Sequence, residues 1–82
     1  MRTFKNMAKL VSEAREEKEL TQVELSNLLE YKNGQFISNV ERHLCSVPLK
    51  VHRKLANLLS IPLEDVKEAY LKDIEHNYME LV

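Results

Sequence analysis

Gln35, Ser38 and Asn39 carry side chains that can recognise the edges of nucleic-acid bases, and they lie close together in this 82-residue chain. A glutamine or asparagine amide can form two hydrogen bonds with adenine, and a serine hydroxyl can bond to several base edges. In a helix, Gln35 and Asn39 would share one face because they are one turn apart. Arg42 follows on that face with a charge suited to phosphate.

Two short predicted helices would position these side chains. The first begins at Thr21, because Thr21 and Glu24 have the spacing of a capping box. Turn-forming residues at 31–34 end it, and a second helix starts at about Gln35. The apolar positions are Val23, Leu25, Leu28 and Leu29 in the first helix and Phe36, Ile37 and Val40 in the second. Phe36 is interpreted either as a core residue or as a contact to a thymine methyl group. Residues 21–42 therefore predict a helix-turn-helix unit whose second helix enters the major groove.

The run from about Leu10 to Ile61 resembles the helix-turn-helix domain of the Cro and phage-repressor (Xre-type) family. The matching elements are Leu20-Thr21-Gln22, Glu24-Leu25, Leu29, Ile37-Ser38, Val40-Glu41-Arg42, Leu55-Ala56-Asn57-Leu58-Leu59 and Ser60-Ile61. Glu30 stands where the family usually has a glycine, with one extra residue before Gln35, and His43 replaces a helix-ending glycine or asparagine. The resemblance implies a lambda-repressor-like DNA-binding fold and a structural ion pair between Glu41 and Arg15.

Helical periodicity covers the rest of the chain. Helix 1 is predicted from about Phe4 to Lys18, and helix 4 begins near Pro48, a residue favoured in the first turn. The buried side of helix 4 is expected to contain Leu49, Val51, Leu55, Leu58 and Leu59. Ser60-Ile61-Pro62 ends helix 4, and helix 5 extends from Leu63 to about Leu81. We therefore expect an all-α, five-helix single domain over residues 1–82, with an extended C-terminal helix.

Helix 5 has more apolar residues than one packing face needs. Leu63, Val66, Tyr70, Ile74 and Leu81 lie near one stripe, while Leu71, Tyr78, Met79 and Val82 extend around the helix. Because so short a chain cannot cover this surface, we expect a homodimer formed through residues 62–81. Its predicted interface contains Tyr70, Leu71, Ile74 and Tyr78, and the resemblance independently implies dimers on palindromic operators. In the alternative, the last turns fray and only residues 63 to about 71 cover the core.

Candidate phosphate contacts flank the base-recognising residues. They are Gln22, Lys32, Asn33, Arg42, His43, Ser46 and Lys50. Gln22 starts helix 2, where free N–H groups and the helix dipole favour an anion. Five basic residues and one acidic residue give residues 32–54 a net charge of +4, whereas two basic and six acidic residues give residues 61–82 a net charge of −4. This polarity would direct phosphates to one end of the domain, although both segments also fit ordinary solvated surfaces.

No catalytic, metal or cofactor site is predicted. His43, Cys45 and His52 offer one thiolate without the spacing of a zinc site, and a chain with one glycine has no Gly-rich phosphate loop. Cys45 is interpreted as a small loop residue or, alternatively, as a redox-sensing thiol. A single cysteine excludes an internal disulfide, and no apolar run has the form of a signal peptide or a membrane span. We therefore expect a cytoplasmic protein with no membrane partner.

Together these features predict a sequence-specific transcription regulator rather than an enzyme. It would act as a repressor or autoregulator that binds an inverted-repeat operator in double-stranded DNA as a homodimer. The alternative is a protein-interaction adaptor or antitoxin with the same fold, in which helix 5 binds a different protein. Salt-dependent binding to duplex DNA separates the two hypotheses.

Overall fold

The computed structural model describes residues 3–82, which form five α-helices and no strands. The helices are α1 (Lys5–Glu17), α2 (Gln22–Leu28), α3 (Gln35–Glu41), α4 (His52–Leu59) and α5 (Leu63–Leu81), with a 3₁₀ turn at Leu49–Val51 before α4. The predicted all-α, five-helix fold is confirmed. Over the same residues, none of the helices combines the length and the apolar character that crossing a bilayer requires.

The core is shared by all five helices. α1 packs against α3 and α5, α2 packs against α3, and α4 packs against α5. The fully buried apolar side chains are Met7, Val11, Leu25, Ile37, Val40, Val47, Leu55 and Val66. Since α2, α4 and α5 each contribute only one of these side chains, their buried faces form only when the helices pack together.

The start of α2 has the predicted capping box. The Thr21 hydroxyl accepts a hydrogen bond from the Glu24 backbone N–H at 3.0 Å, and the Glu24 carboxylate accepts one from the Thr21 N–H at 2.8 Å. The hydrogen bond from the Thr21 backbone lowers the pKa of Glu24. Both bonds join residues three apart, so local sequence is sufficient to begin this helix.

Three apolar side chains of the predicted helices are exposed, of which Leu49 was expected to be buried. Val23 and Leu28 of α2 are 54% and 45% exposed, because Leu25 and Leu29, one turn apart, occupy the face that meets the core. Leu49 is 67% exposed. It lies in the 3₁₀ turn, and α4 begins only at His52, so the helical register extrapolated from Pro48 is wrong.

Each of the first four helices is followed, within two residues, by a residue other than glycine that has a left-handed backbone. These residues are Glu19, Glu30, His43 and Ser60, with φ of 55°, 67°, 64° and 55°. In every case the following N–H bonds the carbonyl five residues earlier, as Tyr31 does to Ser26 and Leu44 to Asn39, which defines a Schellman motif. Glu30 and His43 thus adopt the conformation that a glycine favours at these positions, despite their residue type.

Replacing Glu19 by glycine should therefore stabilise the domain. An L-residue in the left-handed region costs about 1–2 kcal/mol, part of which is offset by the freedom of glycine in the unfolded chain, so we expect a gain of about 0.5–1 kcal/mol. Urea denaturation at fixed protein concentration measures it. Glu19→Ala is the control, because it removes the exposed side chain but keeps the strained Cβ. Equal stabilities of the two variants would contradict this cause.

The inward face of α5 changes from apolar to polar along the helix. Val66 and Ala69 are buried near its start, but Asp73 and Asn77 are the buried residues of its second half. Ile74 and Leu81, which helical spacing groups near the stripe of Val66, do not share its inward face, since they are 47% and 72% exposed. The spacing of Val66, Ala69, Asp73 and Asn77 is helical, so this polar stripe continues the apolar one.

Asp73 and Asn77 bind the N-terminus of α1. One Asp73 carboxylate oxygen accepts hydrogen bonds from the Asn6 backbone and side chain, both at 2.9 Å, and the other accepts from the Met7 N–H at 3.0 Å. The Asn77 side-chain oxygen accepts from the Thr3 N–H at 3.0 Å. Phe4, at the N-cap of α1, makes no side-chain cap. α5 therefore satisfies two of the free N–H groups in the first turn of α1, those of Asn6 and Met7, and one N–H just before the helix.

A second face of α5 is apolar and exposed. Leu71, Ile74, Tyr78 and Leu81 are between 47% and 72% exposed. Their alternating spacing of three and four residues is that of a coiled-coil contact line. We call these four residues the outer seam. Tyr70 lies outside it and is half-buried against the core, in a T-shaped contact with the His52 ring at 4.9 Å between centroids.

Candidate nucleic-acid interface

The outward face of α3 carries the side chains predicted to recognise bases. Successive residues of a helix turn by about 100°, so Gln35, Ser38, Asn39 and Arg42 fall within an arc of about 100°. Ile37 and Val40 occupy the opposite side and are fully buried. Gln35 and Arg42 are exposed, while Ser38 and Asn39 are half-buried. The structure therefore brings the three base-recognising candidates onto one accessible helix face.

Ser26 connects α2 to the first turn of α3. Its hydroxyl accepts a hydrogen bond from the Ile37 N–H at 3.1 Å and donates to the Gly34 carbonyl at 3.4 Å. The Asn33 side-chain oxygen accepts from the Gln35 N–H at 3.0 Å, so it also caps α3. Because Ser26 is completely buried, its two bonds fix the position of α3 relative to α2 away from water.

Gly34 allows the two helices to approach closely at this turn. Its φ is −76°, so the backbone conformation does not require glycine. A Cβ built at Gly34 would lie 2.5 Å from a Val23 methyl group and 3.3 Å from the Val23 Cα. The packing of α2 against the start of α3 therefore excludes a side chain here.

Arg15 and Glu41 form the ion pair that the resemblance implies. Arg15 Nε donates to one Glu41 oxygen at 2.6 Å, and a second guanidinium nitrogen donates to the other at 3.0 Å. Arg15 also donates to the Leu20 carbonyl at 2.7 Å. The hydrogen bond to Glu41 is the main reason that the pKa of Arg15 is raised. This bidentate pair connects α1 to the end of α3 and to the loop before α2.

The predicted phosphate contacts differ in their availability. Lys32, Arg42, His43 and Lys50 are exposed. Gln22 donates its amide N–H to Glu41 at 3.0 Å, and the Asn33 oxygen is occupied by its cap on α3. The Ser46 hydroxyl is enclosed and has no hydrogen-bond partner among the described residues. In this conformation Ser46 does not present its side chain to a phosphate.

Cys45 and the histidines do not form a catalytic or metal site among the described residues. Burial raises the pKa of the Cys45 thiol, which disfavours the reactive thiolate that redox sensing requires. His52 is buried, and its Nε2 lies 3.0 Å from the Val47 carbonyl oxygen. Because a carbonyl only accepts, Nε2 carries a proton in this bond. Within residues 3–82, no three His, Cys, Asp or Glu side chains are grouped as metal ligands would be.

Of the four predicted dimer contacts, three are accessible. Leu71, Ile74 and Tyr78 belong to the outer seam and are 49%, 47% and 62% exposed. Tyr70 instead packs within its own chain against His52. The predicted interface therefore shifts along the helix surface, with Leu81 in place of Tyr70.

Two features of the site are not evident from sequence reasoning. Ser26 is a small residue inside α2, and nothing in the local sequence indicates that its hydroxyl meets Ile37. Asp73 and Asn77 do carry a signal, since they continue the helical spacing of Val66 and Ala69. A buried polar stripe of this kind indicates that donors lie opposite it.

Comparison of the chain with protein-family models, with curated proteins and with solved structures finds no match. The resemblance to the Xre-type family therefore remains a prediction. The functional argument depends on the geometry of α2, α3 and α5.

Proposed function

We propose that this chain is a sequence-specific DNA-binding transcription regulator of the Cro and phage-repressor type. It would bind an inverted-repeat operator as a dimer and would act in the cytoplasm as a repressor or autoregulator. The observation that carries the proposal is the outward polar face of α3, with exposed Gln35 and half-buried Asn39 one turn apart. These amides suit adenine in the major groove.

The contacts that hold α3 in place are consistent with a role in base recognition. Base recognition depends on placing a few side chains accurately against base edges, so the helix that carries them must be held firmly. Ser26 holds the start of α3, and the Arg15–Glu41 pair holds its end. Neither contact uses the outward side chains, which are left for a ligand.

Charge supports duplex DNA as that ligand. Lys32, Arg42 and Lys50 are exposed around α3. Glu41, which lies beside them in the sequence, is neutralised by Arg15 at 2.6 Å. The surface near α3 is therefore more positive than the chain as a whole, whose formal net charge is −1.

The outer seam supports a second copy as the partner of α5. Leu71, Ile74, Tyr78 and Leu81 form a line of about 15 Å along the helix, at 1.5 Å per residue. Lys67 is exposed one turn before Leu71. In a two-fold, antiparallel pair it would approach the C-terminal end of the partner helix, where the dipole favours a cation. One face can thus complement itself.

A dimer would also recognise a longer DNA sequence than a monomer can. One recognition helix contacts only a few base pairs, whereas two copies related by a two-fold axis contact half-sites about 34 Å apart. The second candidate function, a protein-binding adaptor or antitoxin, is favoured by the same exposed seam. It predicts that α5 binds a different protein and that the chain shows no salt-dependent affinity for duplex DNA.

Selection of bound sequences from a random duplex pool tests the proposed function and supplies a specific site. On that site, Gln35→Ala or Asn39→Ala should each reduce affinity by about 1–3 kcal/mol, with little change on random duplex. Asn57→Ala, an exposed asparagine of α4, is the matched control. Equal losses on specific and random DNA would remove both residues from base recognition. A chain that selects no sequence and binds no duplex at low salt would contradict the function itself.

A further inference from the structure

A groove of about 340 Å³ lies between the end of α2 and the start of α4. Its lining includes Glu30 and Tyr31 from the loop after α2, and Lys50 and Lys54 from the 3₁₀ turn and α4. Tyr31 stacks on Phe36 of α3, with 3.8 Å between ring centroids and 8° between planes. The groove is therefore adjacent to the first turn of α3, beside the proposed base-recognising face.

Two lysines give the groove a site for an anion. Lys50 is exposed and forms no ion pair with any described residue. Lys54 lies one turn further along, and its side chain is 44% exposed. A phosphate held near both ammonium groups would gain charge-assisted hydrogen bonds. Binding a phosphate would disrupt no ion pair of Lys50, and for Lys54 it would replace only the pair with Glu30.

Glu30 already forms an ion pair with one of these two lysines, Lys54. Its carboxylate lies 3.0 Å from Lys54 Nζ, and its side chain is 83% exposed. An ion pair so exposed to water contributes little stability, so an incoming anion can replace it at small cost. Glu30 also sits in the left-handed position after α2, with φ of 67°. A glycine there would be less strained and would leave Lys54 unpaired.

We propose that this groove is a phosphodiester-binding site in which Lys50 and Lys54 hold a backbone phosphate of the duplex and Glu30 competes with that phosphate for Lys54. This inference rests on the proposed function, because the phosphate is that of bound DNA. Glu30 then acts as an internal competitor that weakens binding to every sequence alike. The consequence is a lower affinity for specific and random DNA alike, while the ratio of the two affinities is still set by the base contacts of α3.

The test compares Glu30→Gln in two backgrounds on random duplex DNA. With Lys54 present, we expect Glu30→Gln to raise affinity about fivefold, the scale of a surface ion pair. In a Lys54→Ala background, the same change should raise affinity about twofold or less, because only long-range repulsion of the phosphates remains. Lys54→Ala alone should make the plot of log affinity against log salt shallower by about 0.9 for each phosphate that the variant no longer binds.

Glu68→Gln is the matched control for the loss of charge. Glu68 also pairs with a lysine, Lys72, at 2.9 Å, and both side chains are similarly exposed, but the pair lies on α5. This variant should leave DNA affinity within about twofold of the wild type, since no phosphate competes for Lys72. Thermal denaturation of each variant checks that the fold is unchanged.

Three outcomes would overturn the inference. An equal gain from Glu30→Gln in both backgrounds would show that Glu30 does not act through Lys54. No gain beyond that of Glu68→Gln would remove Glu30 as a competitor, while salt-dependent binding by the wild type would leave the proposed function standing. A wild-type chain with no salt-dependent affinity for duplex DNA would overturn the proposed function and this site with it.

Discussion

Replacing Asp73 by alanine should lower the free energy of unfolding by about 3 kcal/mol, an effect comparable to that of truncating a buried core side chain. The substitution removes the acceptor of three hydrogen bonds, including those from the backbone N–H groups of Asn6 and Met7. Asp73 is only 2% exposed, so water cannot replace these bonds without opening the interface between α1 and α5. For a domain of this size that decrease is a large fraction of the total stability.

Urea denaturation at fixed protein concentration measures this change, since dimer formation makes stability depend on concentration. Asp73→Asn should be intermediate, because its amide keeps one oxygen acceptor but loses the charge. Glu75→Ala is the matched control, an exposed carboxylate two residues further along the same helix. If Asp73→Ala were as stable as Glu75→Ala, the N-terminus of α1 would have to be satisfied by other groups.

Replacing Ile74 by glutamate should abolish the dimer and reduce affinity for an inverted-repeat site by about 100-fold or more, the scale on which two linked half-sites exceed one. Ile74 lies in the middle of the outer seam and is 47% exposed. Glutamate there would bring two like charges together across a two-fold axis and would bury them in an apolar contact. The isolated chain, in contrast, has room for the longer side chain in solvent.

Sedimentation and titration of a palindrome against a half-site check this prediction. The intact chain should sediment as a dimer at micromolar concentration, and Ile74→Glu as a monomer of 9.6 kDa with an unchanged helical signal. Met79→Glu is the matched control, because Met79 is also exposed and apolar on α5 but lies outside the seam. A monomeric wild type, free and on DNA, would contradict the dimer.

Truncation after Ala69 is a poorer test of the dimer than Ile74→Glu. It would remove the outer seam, but it would also remove Asp73, which caps α1, and Asn77, which binds Thr3 just before α1. A loss of DNA binding could then reflect the unfolding of α1 rather than the loss of a partner. The point substitution separates the two faces of α5, because it leaves the inward contacts in place.

The local elements of this protein could be predicted from the sequence. Helical periodicity predicted five helices, although it began helix 4 near Pro48 rather than at His52. The spacing of Thr21 and Glu24 identified the start of α2, because capping joins residues within one turn. The outward position of Gln35 and Asn39 followed from the burial of Ile37 and Val40 on the opposite side of α3. These features depend on neighbours in the chain, so no tertiary contact is needed to infer them.

Only the tertiary structure decided the features that depend on distant residues. α5 has two faces: a polar stripe that binds the start of α1, and an apolar seam that faces solvent. Helical spacing alone does not decide to which of the two faces Ile74 belongs. Ser26 became important only because Ile37 meets it across the turn. Glu30 has a left-handed backbone and pairs with Lys54, 24 residues away, although neither its residue type nor its neighbours predict this. In each case the position of the side chain is decided by a contact with a residue that is distant in sequence and that only the fold brings close.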